Sequence, residues 1–227
     1  MKLKYLGQSC FEFELNGHKC LFDLAISANP LAKGIINPAE LKPEYILLSH
    51  GHGDHVADVE SIALANGSKL LSNYEIVSYY GSKGIEGHPL NHGGKFDFPI
   101  GTVKYVNAVH SSVLPDGTYG GNPGGFVIWN DDCSFYFAGD TALTMDMKLI
   151  PMTCPKLDFA ILPIGDNFTM GYEDAIIASQ FIDCNKIVAC HFDSFGYIEI
   201  DHDKVKAAFE KAGIEIILPA VGQEINV

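Results

Sequence analysis

Three imidazoles and a carboxylate fall within the stretch Ser49-His50-Gly51-His52-Gly53-Asp54-His55. Neutral imidazole nitrogens and ionised carboxylates are the donors that hold a divalent transition metal at about 2 Å. In extended chain, residues two apart face the same way, so His50 and His52 can grip one ion together. Asp54 and His55 follow where the chain turns into a helix and can reach a second point nearby. Gly51 and Gly53 are expected to supply the unusual backbone angles of that reversal. The apolar run Tyr45-Ile46-Leu47-Leu48 before it reads as a buried strand. The stretch therefore lies between a strand and a helix, a usual place for a site in a layered α/β protein.

Three later segments share the same syntax, an apolar run and then a metal-type residue. They are Val106–Val109 before His110, Phe135–Ala138 before Asp140, and Ile187–Cys190 before His191. Strand ends on one rim of a sheet pair can converge on one cleft. The candidate ligands are then His50, His52, Asp54, His55, His110, Asp140 and His191, enough for two ions with one aspartate shared. Nitrogen and oxygen donors without a thiolate point to two divalent ions, zinc or manganese. Asp23 ends a strand; it either orients a ligand histidine or forms a turn. Ser111, Asn122, Asn167 and Thr169 are candidate substrate contacts. Helix capping ahead of Tyr172 accounts for at least one of Asp166, Asn167 and Thr169. His18, His88, His92 and His202 lie in turn-like surroundings and read as solvated.

The elements that must carry these residues follow from pattern. Strands are expected at 2–6, 10–15 and 19–23, with Asn16-Gly17 as a hairpin turn. Residues 27–43 read as a long loop with at most a short helix. Helices are expected at 57–66, 74–80, 172–182 and 203–212, the last with Asp201 near its start and Gly213 past its end. Further strands fall at 69–71, on both sides of Gly101, at 126–129, 134–137, 157–164 and 187–190, with 214–218 the last clear one. A glycine-rich loop spans 119–125. The expected architecture is α/β: two packed mixed sheets flanked by helices. No repeat or linker divides the chain, so residues 1–227 read as a single domain.

Composition sets the outer bounds. With 227 residues, 47% hydrophobic and 19% charged, the chain can bury a substantial core. Its net charge of −13, with no Lys/Arg cluster, makes nucleic acid a poor partner. None of the six cysteines forms a C-x-x-C pair, and most sit in apolar runs as buried free thiols. The start lacks a signal-peptide core, and no apolar run is long enough to span a bilayer. A cytoplasmic protein acting on a small molecule is the simplest reading, and a homo-oligomer is compatible with it.

His50-Gly51-His52-Gly53-Asp54-His55, with His110, Asp140 and His191 further on, resembles the metallo-β-lactamase superfamily. Leu6–Phe11, His110-Ser111-Ser112, Gly139-Asp140-Thr141 and Ile164–Gly171 are similar to its UlaG-like branch, which includes L-ascorbate-6-phosphate lactonases and UPF0173 proteins. The resemblance implies an αβ/βα four-layer sandwich with the metals at one edge. It implies that His50, His52 and His110 hold one metal, that Asp54, His55 and His191 hold the other, and that Asp140 bridges them. Gln8, Tyr172 and Gly196-Tyr197 depart from the branch's usual residues.

The expected activity is metal-dependent hydrolysis. Two cations sharing a water lower its pKa, and the hydroxide attacks a small, anionic ester, lactone or phosphodiester. Asp54 is then both ligand and proton relay. The alternatives are an iron-dependent redox or sulfur-handling protein and a metal-dependent nuclease. His52, where the oxygen-reducing diiron branch usually has an acid, argues against the first. The acidic balance argues against the second.

Overall fold

The computed structural model describes residues 1–227. The first sheet takes, in order, β1 (Lys2–Gly7), β2 (Cys10–Leu15), β3 (His18–Phe22), β4 (Tyr45–Leu47), β5 (Lys69–Asn73) and β6 (Gly87–Leu90). The second takes β7 (Lys95–Phe98), β8 (Gly101–Asn107), β9 (Gly124–Trp129), β10 (Ser134–Phe137), β11 (Phe159–Pro163), β12 (Lys186–Cys190) and β13 (Glu215–Ile217). The last strand, β14 (Glu224–Asn226), returns to the first sheet and pairs antiparallel with β1.

Strand alternation sorts side chains between layers. In β2, Phe11, Phe13 and Leu15 point into the core between the sheets; in β10, Phe135 and Phe137 do the same while Tyr136 points outward. Ile46 of β4 likewise faces out, between Tyr45 and Leu47, which face in. The outer face of the first sheet is covered by α1 (Gly53–Val56), α2 (Val59–Asn66) and α3 (Tyr74–Gly81), through Val56, Val59, Ile62 and Ile76. The second is covered by α4 (Ile150–Thr153), α5 (Tyr172–Phe181) and α6 (His202–Lys211), through Ile150, Ala175, Ala178, Val205 and Phe209. The result is the expected four-layer α/β sandwich. No helix is long and apolar enough to cross a membrane.

Strand direction explains why the candidate ligands can meet. β1, β2 and β3 are successively antiparallel and β4 is parallel to β3, so β1, β3 and β4 all run the same way. β8, β9 and β10 alternate likewise, and β11 and β12 continue parallel to β10. The C-terminal ends of β1, β3 and β4, and of β8, β10 and β12, therefore share a rim in each sheet. Gln8, Asp23 and the histidine stretch leave the first rim; His110, Asp140 and His191 leave the second.

Several expectations are corrected. β6, β14 and the helical turns over Met145–Thr153 went unread, and Gly124-Gly125 open β9 rather than close a loop. β6 contains Pro89, which an edge position tolerates. Residues 27–43 hold two 3₁₀ turns, each capped by an asparagine. Neither Gly51 nor Gly53 adopts a left-handed conformation. Gly53 opens α1, and a Cβ there would meet nothing within 4 Å. A glycine that the site does need is Gly139, with φ +61 and an added Cβ falling 2.5 Å from Ser49 Cβ.

Gly139→Ala should therefore destabilise the fold by about 2–5 kcal/mol, from the left-handed backbone and the overlap with Ser49. Gly53→Ala should be neutral or slightly stabilising. Urea unfolding of the metal-free variants checks both, and equal losses at the two positions would refute the assignment.

Candidate metal centre

The histidine stretch starts two residues after β4, and His52 directly precedes the short helix α1 that carries Asp54 and His55. On the facing rim, Val109 N donates to Thr141 Oγ1 (2.9 Å) and Ala142 N to Val109 O (3.0 Å). These bonds fix the His110 segment against the turn that bears Asp140. Ser112 Oγ accepts from Gly51 N (3.1 Å) and donates to Gly120 O (2.9 Å), so the same segment is tied to the histidine stretch. His191 N donates to Gln8 O (2.8 Å), joining the two rims.

The side chains gather in two groups. In the first, His50 Nε2 lies 3.0 Å from His52 Nδ1, which lies 3.3 Å from His110 Nε2. In the second, Asp54 Oδ2 is 3.4 Å from His55 Nε2 and 3.7 Å from His191 Nε2. Asp140 Oδ2 stands between the groups, 3.8 Å from His50 Nε2, 3.7 Å from His110 Nε2, 3.2 Å from His55 Nε2 and 3.0 Å from His191 Nε2. All seven candidate ligands are thus brought together.

Two residues orient this set from behind. Asp23, fully buried, accepts from Ser49 N through Oδ1 (2.8 Å) and from Ser49 Oγ (2.6 Å) and His55 Nδ1 (2.9 Å) through Oδ2. Ser49 Oγ, its proton given to Asp23, accepts from His50 Nδ1 (2.9 Å). Both imidazoles are held as Nδ1–H tautomers with Nε2 free for the centre, an arrangement common around ligand histidines. Of the two readings open for Asp23, orientation of a ligand-type histidine is the one the geometry has. Gln8 is the residue that sequence reasoning missed: its Nε2 donates to Asp54 Oδ2 (2.9 Å). Its only signal was departure from the usual histidine. Gln8, Asp23 and His191 have φ of +54, +42 and +54, a conformation that costs non-glycine residues about 1–3 kcal/mol each and clusters at functional sites.

The electrostatics call for positive charge. Burial holds His50 well below its ordinary pKa. Burial also disfavours charge on His55 and His191, but carboxylates outweigh it. Asp140, Asp23 and Asp54 hold His55 well above its usual range, and Asp140 and Asp54 push His191 up to about 9. Burial would raise Asp140, yet His191 and His55 hold it well below the usual carboxylate range. His55 Nε2 and Asp140 Oδ1 are buried without hydrogen-bond partners. A tetrahedral ion with ligands at about 2.0–2.1 Å keeps its donors about 3.3 Å apart, close to the spacing of the first group. The residues present therefore fit divalent cations.

The centre opens into a cleft of about 320 Å³ lined by His52, Asp54, His110, Ser111, Asp140, Phe168, His191 and Phe195. Of the four candidate substrate contacts only Ser111 lines it, with Oγ 3.3 Å from His52 Nε2. Asn122 accepts from Tyr119 OH (2.8 Å), Thr169 Oγ1 donates to Met170 O (3.2 Å), and Asn167 is exposed. Phe168, between those last two, takes the wall instead. His18, His88 and His92 are partly exposed and His202 is exposed; none lines the cleft.

Residues 2–191 match the family described as Beta-lactamase superfamily domain. A UPF0173 metal-dependent hydrolase of Flavobacterium johnsoniae is 56% identical over 228 residues, covering 100% of both chains. One from Christiangramia forsetii is 53% identical over 226 residues, again covering 100% of both. Among solved structures, a metallo hydrolase from the archaeon Ignicoccus hospitalis superposes with a TM-score of 0.88 at 31% identity, covering 99% of this chain and 97% of that one.

Asp23→Ala should lower metal affinity about 10- to 100-fold by freeing the His55 and His50 rings; competition with a chromophoric chelator reads this, and wild-type affinity would leave Asp23 a turn residue only. Metal-free protein should also respond to pH through His191. Its pKa is raised in the folded state to about 9, so its contribution is complete below about 6.5 and lost as pH rises through 9. Urea midpoints across that window should fall with pH in metal-free protein and stay flatter in loaded protein; parallel curves would count against the assignment.

Proposed function

The chain belongs to the metallo-β-lactamase superfamily as a UPF0173 metal-dependent hydrolase, and on that premise we propose a two-cation centre. His50, His52 and His110 would hold one ion, Asp54, His55 and His191 the other, with Asp140 on both. The observation that carries this is Asp140 Oδ2, within 3.8 Å of an imidazole nitrogen from each of four histidines. When bound, two zinc or manganese ions supply a water of lowered pKa and positive charge for a developing oxyanion.

The chain's own side chains do the rest. Asp23 and Ser49 hold the His55 and His50 rings so that only Nε2 faces the centre. Gln8 occupies Oδ2 of Asp54, leaving Oδ1 to take a proton and pass it to the leaving group. Burial opposes charge on Asp54, but His55 and His191 keep it ionised. The substrate is a small ester, lactone or phosphodiester. No Lys or Arg lines the cleft, so negative charge on a phosphodiester, or developing on the carbonyl oxygen of an ester or lactone, meets the cations alone. All six cysteines are free and four are buried, which supports a reducing, cytoplasmic setting.

Elemental analysis of native protein should find close to two ions per chain, and fewer than one after reconstitution would sink the two-cation reading. Asp140→Asn keeps the shape but removes the charge both ions share. It should lower occupancy of both sites and cost at least 100-fold in turnover, with circular dichroism showing the fold retained, while metal-free protein melts lower near neutral pH because His55 and His191 lose their charge partner. Full occupancy with near-normal turnover would mean that Asp140 only shapes its turn.

A further inference from the structure

One wall of the cleft has no role in holding cations. Phe168 and Phe195 line it, and Tyr197 adjoins them. The ring of Phe168 lies 6.0 Å from Phe195 and 6.1 Å from Tyr197, nearly perpendicular to the latter, and Phe195 stands edge-on to His191 at 6.3 Å. These three rings are 48%, 37% and 77% exposed.

Their exposure is built into the backbone. Phe168 follows two successive left-handed residues, Asp166 (φ +62) and Asn167 (φ +55). That loop is closed by the Gly165–Gly171 bridge and tied to the Asp140 turn by Met170 N donating to Thr141 O (2.9 Å). Phe195 lies in a second tied loop. Asp193, with φ +61, donates through its N to Ile198 O (2.8 Å), and its carboxylate accepts from Ile200 N (3.0 Å) and contacts His202 Nε2 (2.6 Å). Strained, well-bonded loops hold apolar rings in water beside the reacting centre. Aromatic rings presented this way pack edge-to-face or offset against another ring, and pockets of this size bury small molecules.

We propose that Phe168, Phe195 and Tyr197 form the specificity wall, and that the part of the substrate outside its reacting group is an uncharged aromatic ring. The proposal rests on the hydrolase reading above and narrows it: an aryl-bearing ester or lactone fits, whereas a sugar phosphate finds no cationic side chain in the cleft. The aromatic cluster and the cations then divide recognition, one taking the ring and the other the polar group.

The test uses metal-loaded protein of residues 1–227 and three acids: acetate and phenylacetate, each with one carboxylate, and succinate, with a second carboxylate in place of the ring. Calorimetry should find phenylacetate at least tenfold tighter than acetate, with succinate no tighter. Phe168→Ala and Phe195→Ala should each bring phenylacetate to within about threefold of acetate, with metal content and circular dichroism confirming intact protein. Phe168→Tyr should retain the preference. Equal binding of phenylacetate and acetate to protein that holds its cations, or tightest binding of succinate, overturns the aromatic wall and leaves the two-cation reading standing. Failure to hold cations overturns that reading instead. In that event benzyl alcohol, which needs no cation, replaces the acids, and unshifted Phe168 and Phe195 ring resonances overturn the wall.

Discussion

The gap between the two sheets is the constraint on which the centre depends. Phe22 of the first sheet stacks on Phe137 of the second at 4.1 Å, with planes 13° apart. Phe22 directly precedes Asp23, and Phe137 lies three residues before Asp140. This aromatic contact sits behind the rim and sets how far the candidate ligands of the first sheet stand from those of the second. Phe13 against Phe135 at 5.8 Å continues it into the core. A metal centre tolerates errors of only tenths of an ångström in its ligands, and close-packed rings give way very little. Core packing and ligand geometry are here one problem.

Much of this was legible in the sequence, for local reasons. Ligand-type residues are uncommon in a dense cluster, and each candidate follows an apolar run, so a strand-end position could be read for each. In β2 the alternation Phe11-Glu12-Phe13-Glu14-Leu15 carries the inner and outer faces in the sequence itself. What escaped reading depends on partners far away in the chain. β14 is three residues long and takes its meaning from β1. Gln8 matters because its side chain reaches Asp54, 46 residues on. The glycines were misjudged because Gly139 is required by Ser49, across the seam, while Gly51 and Gly53 looked necessary only from their neighbours. Phe168 was passed over between Asn167 and Thr169, since an aromatic residue in sequence reads as core whichever way it points.

The sheets share one plan. Read as β14-β1-β2-β3-β4-β5-β6 and β7-β8-β9-β10-β11-β12-β13, each has three antiparallel pairings followed by three parallel ones. Equivalent positions then carry different tasks. Gln8 after β1 matches His110 after β8, and Asp23 after β3 matches Asp140 after β10. The histidine stretch after β4 matches the Phe168 loop after β11. One half supplies a dense loop of metal-type residues, and the other supplies, at the corresponding place, the exposed ring of Phe168.

The return of β14 to the first sheet also sets an order of events during synthesis. Lys2, Leu3 and Lys4 pair with Asn226, Ile225 and Glu224, and Tyr5 exchanges backbone hydrogen bonds with Gln223 and Gly222. β1 therefore waits for β14, made after every other strand of both sheets, before its edge is covered. An uncovered edge invites pairing with other chains, and synthesis at about 5–20 residues per second leaves that edge open for tens of seconds in a chain of 227 residues. Tyr5 also donates through its hydroxyl to the carbonyl of Gln8. Final seating of the strand that carries Gln8 to the centre is thus deferred until β14 has been made, so a nascent chain can have its core elements in place well before its centre is complete.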